Sequence, residues 1–294
     1  MIMRIFLFIY LFLILSCSTE VDYINNSISF GTDNTLDVMT WNIENFPKNE
    51  STIDYVSDFI FSLYPDVIAL QEISSQNDFN QLVDNLGSDW TGYRYSTSNY
   101  GELAFLINTN NLEITQSPYS ILNQYEQYFA SRPPYVLKVI FNNEEFIIIN
   151  VHYKCCGDGE LGDDYWDEEY RRLQANQVLK EYIDLNFSQK NVIVLGDFND
   201  DISDPINNNI FIDIINDYNN YLFTDIAISN GPDSDWSFPT WPSHLDHILV
   251  TNEVLDFNIF TSTIKLDNYM IGGWGKYNNY ISDHRPVGIN ISFD

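Results

Sequence analysis

The sequence predicts an α/β fold, with β-sheets packed together and helices on their outer faces, in a single domain. Strand-like and helix-like stretches alternate from Asp37 onward, and the middle of the chain is a series of strand-like runs with hairpin signals. Apolar residues make up 45% of the chain and aromatic ones 16%, enough for a sizeable core. Neither an internal repeat nor a linker divides residues 37–294, so the 294 residues hold one large domain.

LDVMTWNI reads as the first strand, STIDYVSDFIFSLY as a helix capped by Ser51, and PDVIALQEI as a second strand. A helix through DFNQLVDNLG ends at Gly87. GYRYSTS, ELAFLIN, PYVLKVIF and EFIIINVHY are strand-like, and Asn142-Asn143 makes a natural hairpin turn between the last two. Residues 168–187 carry Leu173, Val178, Leu179 and Ile183 near helical spacing. NVIVLGD returns as a strand, IFIDIINDY as a helix, and LDHILV and PVGINISF close the chain as strands.

The N-terminus is a separate object. One Arg precedes an unbroken apolar run from Ile5 to Leu15. About 20 apolar residues are needed to span a bilayer, so the run fits the core of a secretory signal instead. Ile14-Leu15-Ser16-Cys17 resembles a bacterial lipobox, whose Cys becomes the lipidated first residue after cleavage. The organisation implied is a signal peptide over 1–16, a lipidated Cys17 with a polar tether over 17–36, and a folded domain over 37–294. The protein is then exported and held by lipid at the bacterial envelope, on the outer membrane or cell surface. An ordinary signal peptide with an incidental Cys leads to export alone.

Beyond Cys17, only Cys155 and Cys156 remain, and they are adjacent. Neighbouring Cα atoms stand about 3.8 Å apart, short of the roughly 4.4–6.8 Å that disulfides prefer. A bond between them is a strained ring, tenable in an oxidising compartment as a loop clamp. The formal net charge is −29, from 13 basic and 42 acidic residues. Such a field repels polyanions, so tight non-specific DNA binding is disfavoured unless bound cations help locally. An acidic skin also serves solubility.

Polar residues collect where strands stop: Trp41-Asn42, Gln71-Glu72, His152, Asp197 and Asn199, Asp246, and Asp283-His284. Strand ends of packed sheets meet at one rim, where sites commonly form. In VIVLGDFNDD the apolar run gives way at once to Asp197, Asn199, Asp200 and Asp201, which burial alone does not require.

The set WNIENF, ALQE, SRPP, NVHYK, GDFND, LDHI and SDHRPV resembles the endonuclease/exonuclease/phosphatase superfamily, the DNase I-like metal-dependent phosphodiesterases and phosphatases. The likeness covers about 250 residues, and GDFN followed by SDHRPV is its specific part. It implies a four-layer α-β-β-α sandwich, two mainly antiparallel sheets flanked by helices, with the site at one rim. It implies Mg²⁺ or Mn²⁺, a hard cation suited to carboxylate oxygen and to polarising phosphate. Glu72 and Asn42 match the metal ligands, and Asp283 the remaining acid near the metal. Asp197 matches the group that orients or deprotonates the attacking water, and Asn199 the one that donates to phosphate oxygen or positions the nucleophile. Gly196 allows close backbone approach.

His152 and His284 can exchange protons near neutral pH, and each needs a carboxylate partner. Asp246 looks like the partner of His284, and Glu102 matches the acid that pairs with His152. Having His rather than Tyr at 152 resembles the DNase I-like and sphingomyelinase-like branches. Arg132 in SRPP resembles an arginine that contacts substrate phosphate; a strand-edge Arg paired with one of the many acids is the alternative. Asp200 and Asp201 have no counterpart and read as surface acids or a turn cap. His244 and His247 depart from the family pattern and read as core or supporting histidines. The acids of KCCGDGELGDD offer a structural Ca²⁺ site.

WSFPTWPS, residues 236–243, either presents aromatics for stacking on bases or entering lipid, or folds over the core. Together these features describe a monomeric, exported, metal-dependent phosphodiester hydrolase that touches the membrane only through its anchor. A nuclease acting on extracellular nucleic acid is the first reading. A phospholipid (sphingomyelinase-like) or small phosphate-ester hydrolase is the alternative enzyme. A catalytically silent surface binding lipoprotein is the alternative of another class, and the completeness of the residue set argues against it.

Overall fold

The computed structural model describes residues 28–95 and 102–293. The expected signal segment, Cys17 and most of the tether lie outside them. The tether ends earlier than residue 36: Ile28 and Phe30 already pack against the core, and Gly31 N donates to Leu63 O at 2.7 Å.

The chain opens with β1 (Thr35–Phe46), α1 (Thr52–Leu63), β2 (Val67–Ile73), α2 (Gln76–Leu86), β3 (Trp90–Arg94) and β4 (Glu102–Asn108). Then come β5 (Glu113–Ser120), β6 (Tyr135–Phe141), β7 (Glu144–His152), α3 (Glu168–Asn186) and β8 (Asn191–Asp197). It closes with α4 (Ile212–Asn216), β9 (Tyr221–Phe223), α5 (Ile226–Ser229), β10 (Asp246–Thr251), β11 (Asn258–Thr263), α6 (Gly273–Tyr280) and β12 (Val287–Ser292). Ser51 does stand at the start of α1, although its side chain makes no capping bond. Gly87 ends α2, and Asn142 and Asn143 both take the positive φ that a two-residue hairpin turn requires. The end of the strand expected over 92–98 falls outside the described residues.

Two six-stranded sheets form, in the orders β11-β12-β1-β2-β4-β3 and β5-β6-β7-β8-β10-β9. Every neighbouring pair is antiparallel except β1/β2 and β7/β8, one parallel pair per sheet. Parallel neighbours need a crossover, and α1 and α3 provide them. Three apolar clusters show the four layers. One lies between the sheets, one unites α1, α2 and α6 with the outer face of the first sheet, and one unites α3 and α4 with the outer face of the second.

Central strands are buried on both faces, which is why FIIIN and VIVLG read as continuous apolar runs. In β7, Ile147 belongs to the outer cluster and Ile148 to the one between the sheets. That period of two positions the site. Counted inward, β7 runs Ile148, Asn150, His152; β8 runs Leu195, Asp197; β10 runs Ile248, Asp246; β1 runs Val38, Thr40, Asn42. At one end of the sandwich the inward row turns from apolar to polar in both sheets at once.

Candidate active site

Strand register assembles the site. In the second sheet Asp197 is the cross-strand partner of His152 on one side and of Asp246 on the other. In the first sheet Asn42 is opposite Gln71. Just behind the row, Gln71 Nε2 donates to Asn150 Oδ1 at 2.8 Å, and Asn150 Nδ2 donates to Leu70 O and Ala104 O. This buried amide pair joins the sheets beneath the polar rim, and each amide left unpaired there would cost about 1–3 kcal/mol.

Local backbone irregularity aims individual side chains. The register slips between Leu70 and Ile73 in β2 and between Asn42 and Phe46 in β1, a bulge on each strand. Glu72 lies within the first, with φ at 62°. Bulges commonly re-aim a residue, and positive φ in a side-chain-bearing residue is a strain kept at functional positions. Asn199, just beyond the end of β8, also has positive φ, at 55°. A Cβ on Gly196 would lie 1.9 Å from the Val151 carbonyl oxygen, so the strand carrying Asp197 can approach β7 only with glycine there.

The side chains converge. Asn42 Nδ2 donates to Asp197 Oδ2 at 2.9 Å and to Glu72 Oε1 at 3.3 Å. Glu72 Oε2 accepts from Asn45 N at 2.9 Å. His152 Nε2 lies 3.4 Å and His284 Nε2 3.9 Å from Asp197 Oδ2. His284 Nδ1 meets Asp246 Oδ2 at 2.7 Å, while its Nε2 is 3.9 Å from Asp283 Oδ1. Asn199 N donates to Asp197 Oδ1, and both Asn199 Nδ2 and Arg132 Nη2 donate to the Tyr153 carbonyl. Glu72, His152, Asp197, Asn199, Asp283 and His284 all line one cleft of about 500 Å³.

Burial pushes the Asp197 carboxyl up to about 7; Asp246 and Glu72 add to this, while His284 and Asn42 oppose it. Burial works against the charge of His284, yet Asp246 and Asp197 outweigh it and raise the imidazole to about 10. His152 is the reverse case: burial, with Arg132 and His284 nearby, holds it well below the usual histidine range. The two histidines therefore differ in state, one charged and one neutral, flanking a carboxyl poised near neutrality. That division is what proton transfer at working pH needs.

Two contacts differ from those the resemblance implies. Asn42 is where the resemblance implies, but it presents its amide N–H groups to the carboxylates, and its Oδ1 accepts from Glu44 N. Through these bonds it orients Asp197 and Glu72. His152 Nδ1 makes no hydrogen bond, so the implied Glu102 partner is not in bonding contact; the buried Glu102 bears on the charges of Arg132 and Arg94. Asp200 is also no surface acid. It is buried and paired with Arg172 Nε at 2.8 Å, while Asp201 does close a turn through Ser203.

Some supporting residues give little sequence signal. Tyr277, on the Gly- and Asn-rich α6, receives Trp41 Nε1 at 2.9 Å and donates to the His284 carbonyl at 2.6 Å. Ser282 Oγ donates to the Asn42 carbonyl and accepts from His284 N. Phe238 packs its ring 4.8 Å from that of His284. His244 and His247 are core histidines, as expected. Each faces Asp225 Oδ2, at 3.0 and 2.6 Å, and His247 Nε2 also faces the Asp200 carbonyl at 2.8 Å. Both nitrogens of His247 thus meet acceptors and the ring carries two protons. His244 Nδ1 accepts from Ser237 N, so its Nε2 holds the proton given to Asp225. This buried trio is a proton-linked clamp, with no open nitrogen on His244 for a metal.

The sequence profile of the endonuclease/exonuclease/phosphatase family matches residues 39–284. The chain belongs to this family. No curated protein matches the sequence well enough to count as a relative. Among solved structures, D. rerio TDP2 complexed with a single-strand DNA product is similar at 13% identity and TM-score 0.66, over 88% of this chain and 99% of that one. The human nocturnin catalytic domain with a bound sulfate anion shares 15% identity at TM-score 0.62, over 94% and 97%. The endonuclease/exonuclease/phosphatase from Bacteroides vulgatus shares 13% at TM-score 0.60, over 88% and 99%. At these identities the likeness speaks for the fold.

Membership in the endonuclease/exonuclease/phosphatase family suggests a hydrolase of phosphodiester or phosphate monoester bonds that uses a divalent metal. The donor set fits such an ion. Glu72, Asp197, Asp246 and Asp283 crowd one rim with His284 as the cation bonded among them, and the buried Asp246 Oδ1 has no hydrogen-bond partner. Burial raises Asp283, with Glu44 and Glu72 adding, as expected for acids short of positive charge. Glu72 and Asp283 offer the carboxylate oxygens that a hard cation takes. The loop proposed for Ca²⁺ is different: Asp158 and Asp164 accept from the backbone of Glu160 and Trp166. Among the described residues, the clusters of three or more potential ligands do not include it.

Proposed function

We propose that the protein is an exported, lipid-anchored, Mg²⁺- or Mn²⁺-dependent phosphodiester hydrolase acting on nucleic acid, with single strands preferred over duplex. The observation that carries the reading is the placement of Asp197 between Asn42, His152 and the His284–Asp246 pair. Bound at Glu72 and Asp283, the ion would neutralise a phosphate oxygen. Asp197, oriented by Asn42 and ionising near neutral pH, takes the proton of the attacking water. His284, held charged by Asp246, stabilises the negative charge gathering on phosphate oxygen, a contribution strongest in a site shielded from water. Neutral His152 is available to exchange a proton with the same oxygens.

The preference for single strands rests on the cleft walls. One side carries Asp201 and Asp204 beside the Arg172-paired Asp200 and Glu169, a wall that stays net acidic and disfavours the dense charge of a duplex. On the other, Phe238 and Ser243 pair as a small antiparallel bridge, and the turn between them holds Trp241 78% exposed in the cleft wall. An exposed indole stacks on any unpaired base, worth about 1–3 kcal/mol. The D. rerio TDP2 complex with a single-strand DNA product is in keeping with this choice. Among the described residues no helix is long and apolar enough to cross a membrane.

Purified protein incubated with single-stranded DNA, duplex DNA, RNA, sphingomyelin and a chromogenic bis-phosphodiester, with and without Mg²⁺, tests the reading. Metal-dependent cleavage of single strands ahead of duplex supports it. Turnover of sphingomyelin alone replaces it with a lipid hydrolase, and no turnover at all with a silent binder.

A further inference from the structure

The loop leaving β7 carries two adjacent thiols into the wall of the cleft. Cys155 and Cys156 are both free and exposed, and both line the same cavity as Glu72, His152, Asp197 and His284. Their Sγ atoms lie 3.0 Å apart, with the Cys156 thiol donating to the Cys155 sulfur. No step of phosphoester hydrolysis uses them.

The backbone around the pair is held from beneath. Arg172 Nη1 donates to the Lys154 carbonyl at 2.8 Å and to the Cys156 carbonyl at 2.7 Å. Arg172 is itself buried and fixed by ion pairs to Glu169 at 3.0 Å and Asp200 at 2.8 Å. Cys156 has φ 72°, a left-handed conformation costly for a residue with a side chain. That strained peptide, pinned on both sides, keeps the two sulfurs together. Lys154 Nζ donates to the Cys155 carbonyl at 2.8 Å and stands 3.7 Å from Cys155 Sγ. Two sulfurs are too few for a zinc site, and among the described residues no cluster of potential metal ligands contains them.

We propose that Cys155 and Cys156 form a modification site, a vicinal dithiol that closes to a disulfide ring by exchange with an oxidised disulfide such as glutathione disulfide, and that closure alters substrate entry to the cleft. The Cys155 thiolate attacks one glutathione sulfur, forming a mixed disulfide and releasing one glutathione thiolate. Cys156 then loses its proton to solvent, its sulfur attacks Cys155 Sγ, and the second glutathione leaves. The two protein thiols are oxidised by two electrons and one glutathione disulfide is reduced to two thiols. The ring includes the peptide whose Cys156 carbonyl is held by Arg172, and Arg172 also holds Asp200 beside Asn199. Its closure is thus transmitted to the loop carrying Asp197 and Asn199. Ring formation stands independently of the proposed hydrolase; its effect on turnover rests on that reading.

The full chain is equilibrated over a series of glutathione disulfide-to-thiol ratios and alkylated, and the peptide from Cys155 to Arg171 is weighed. In parallel, KM and kcat are measured on the bis-phosphodiester. The expected result is one transition to an unalkylated peptide lighter by two hydrogens, with KM changing several-fold along the same transition. Cys155→Ser and Cys156→Ser variants keep a single KM at every ratio. A peptide that remains doubly alkylated, or stops at the glutathione adduct, overturns the ring. A ring that forms without changing KM overturns the link to the cleft. A ring that forms in a chain inactive at every ratio supports the modification site and overturns the hydrolase reading instead.

Discussion

Asn42 and Asp197 belong to different sheets, and a 2.9 Å hydrogen bond joins them across the rim of the sandwich. The bond makes the ionisation of Asp197 depend on how the sheets meet. Replacing Asp197 by Asn keeps an oxygen that can accept from Asn42 and removes a carboxyl that burial already disfavours in its charged form. Turnover is expected to fall by about 10²–10⁴ while the melting temperature holds or rises, as when a destabilising active-site group is removed. Steady-state kinetics beside thermal denaturation checks both halves; equal losses of activity and stability would reduce Asp197 to a structural acid.

His284 gives the metal-free protein a signed pH dependence. Its folded-state value, about 10, lies above the roughly 6.5 of an unfolded chain. The stability it contributes is therefore fully present below about pH 6.5 and lost as pH rises through about 10. Urea unfolding between those limits should show the decline, and Asp246→Asn, which removes the partner at Nδ1, should flatten it. An unchanged slope in that variant would refute the pairing as its source.

Asp66 acts at the far end of the sandwich. Burial pushes it up to about 7, with Asp37 contributing, even though it accepts from Asp37 N at 2.9 Å. An acid raised on folding contributes stability that is complete below about pH 4 and drains away as pH rises through 7. Asp66→Asn preserves the acceptor and should be worth a few kcal/mol at pH 8 but little at pH 4. The comparison of denaturation midpoints at the two pH values decides it.

Gly196→Ala forces a methyl into the Val151 carbonyl at a φ of 154°. A cost of about 3 kcal/mol is expected for the overpacking, with activity lost even in protein that still folds, because β8 would be displaced from β7. Calorimetry and kinetics on the same sample distinguish this from a harmless change.

Chelation should abolish turnover and added Mg²⁺ or Mn²⁺ restore it. Asp283→Ala should raise the ion concentration for half-maximal activity while leaving the fold intact by circular dichroism. An unaltered metal requirement in that variant would remove Asp283 from the ligand set.

The central strands were legible because they are buried on both faces, and the site because polar residues interrupt those runs at matching ends. β5, β9 and β11 gave no such signal. All three are sheet edges. β5, EITQSPYS, is half polar and contains Pro118, which an edge tolerates and a central strand would not. α6, GWGKYNNY, has poor helix formers and is held by Tyr277, whose hydroxyl bridges Trp41 and the His284 carbonyl. Its importance is visible only in three dimensions. The burial of Asp200 was hidden likewise, since its partner Arg172 is 28 residues away. Spacing cannot report an ion pair between a helix and a distant loop.

β12, the last strand in the chain, pairs with β1, the first, from Thr40↔Val287 to Thr35↔Ser292. A ribosome-bound chain stopped at residue 200 already contains Asn42, Glu72, His152 and Asp197, yet lacks Asp246 and His284 and leaves β1 with an open side. Such end-to-end pairing is slow to form. Asp197 therefore faces His284 only once segments from opposite ends of this domain have met, which ties completion of the site to closure of the first sheet.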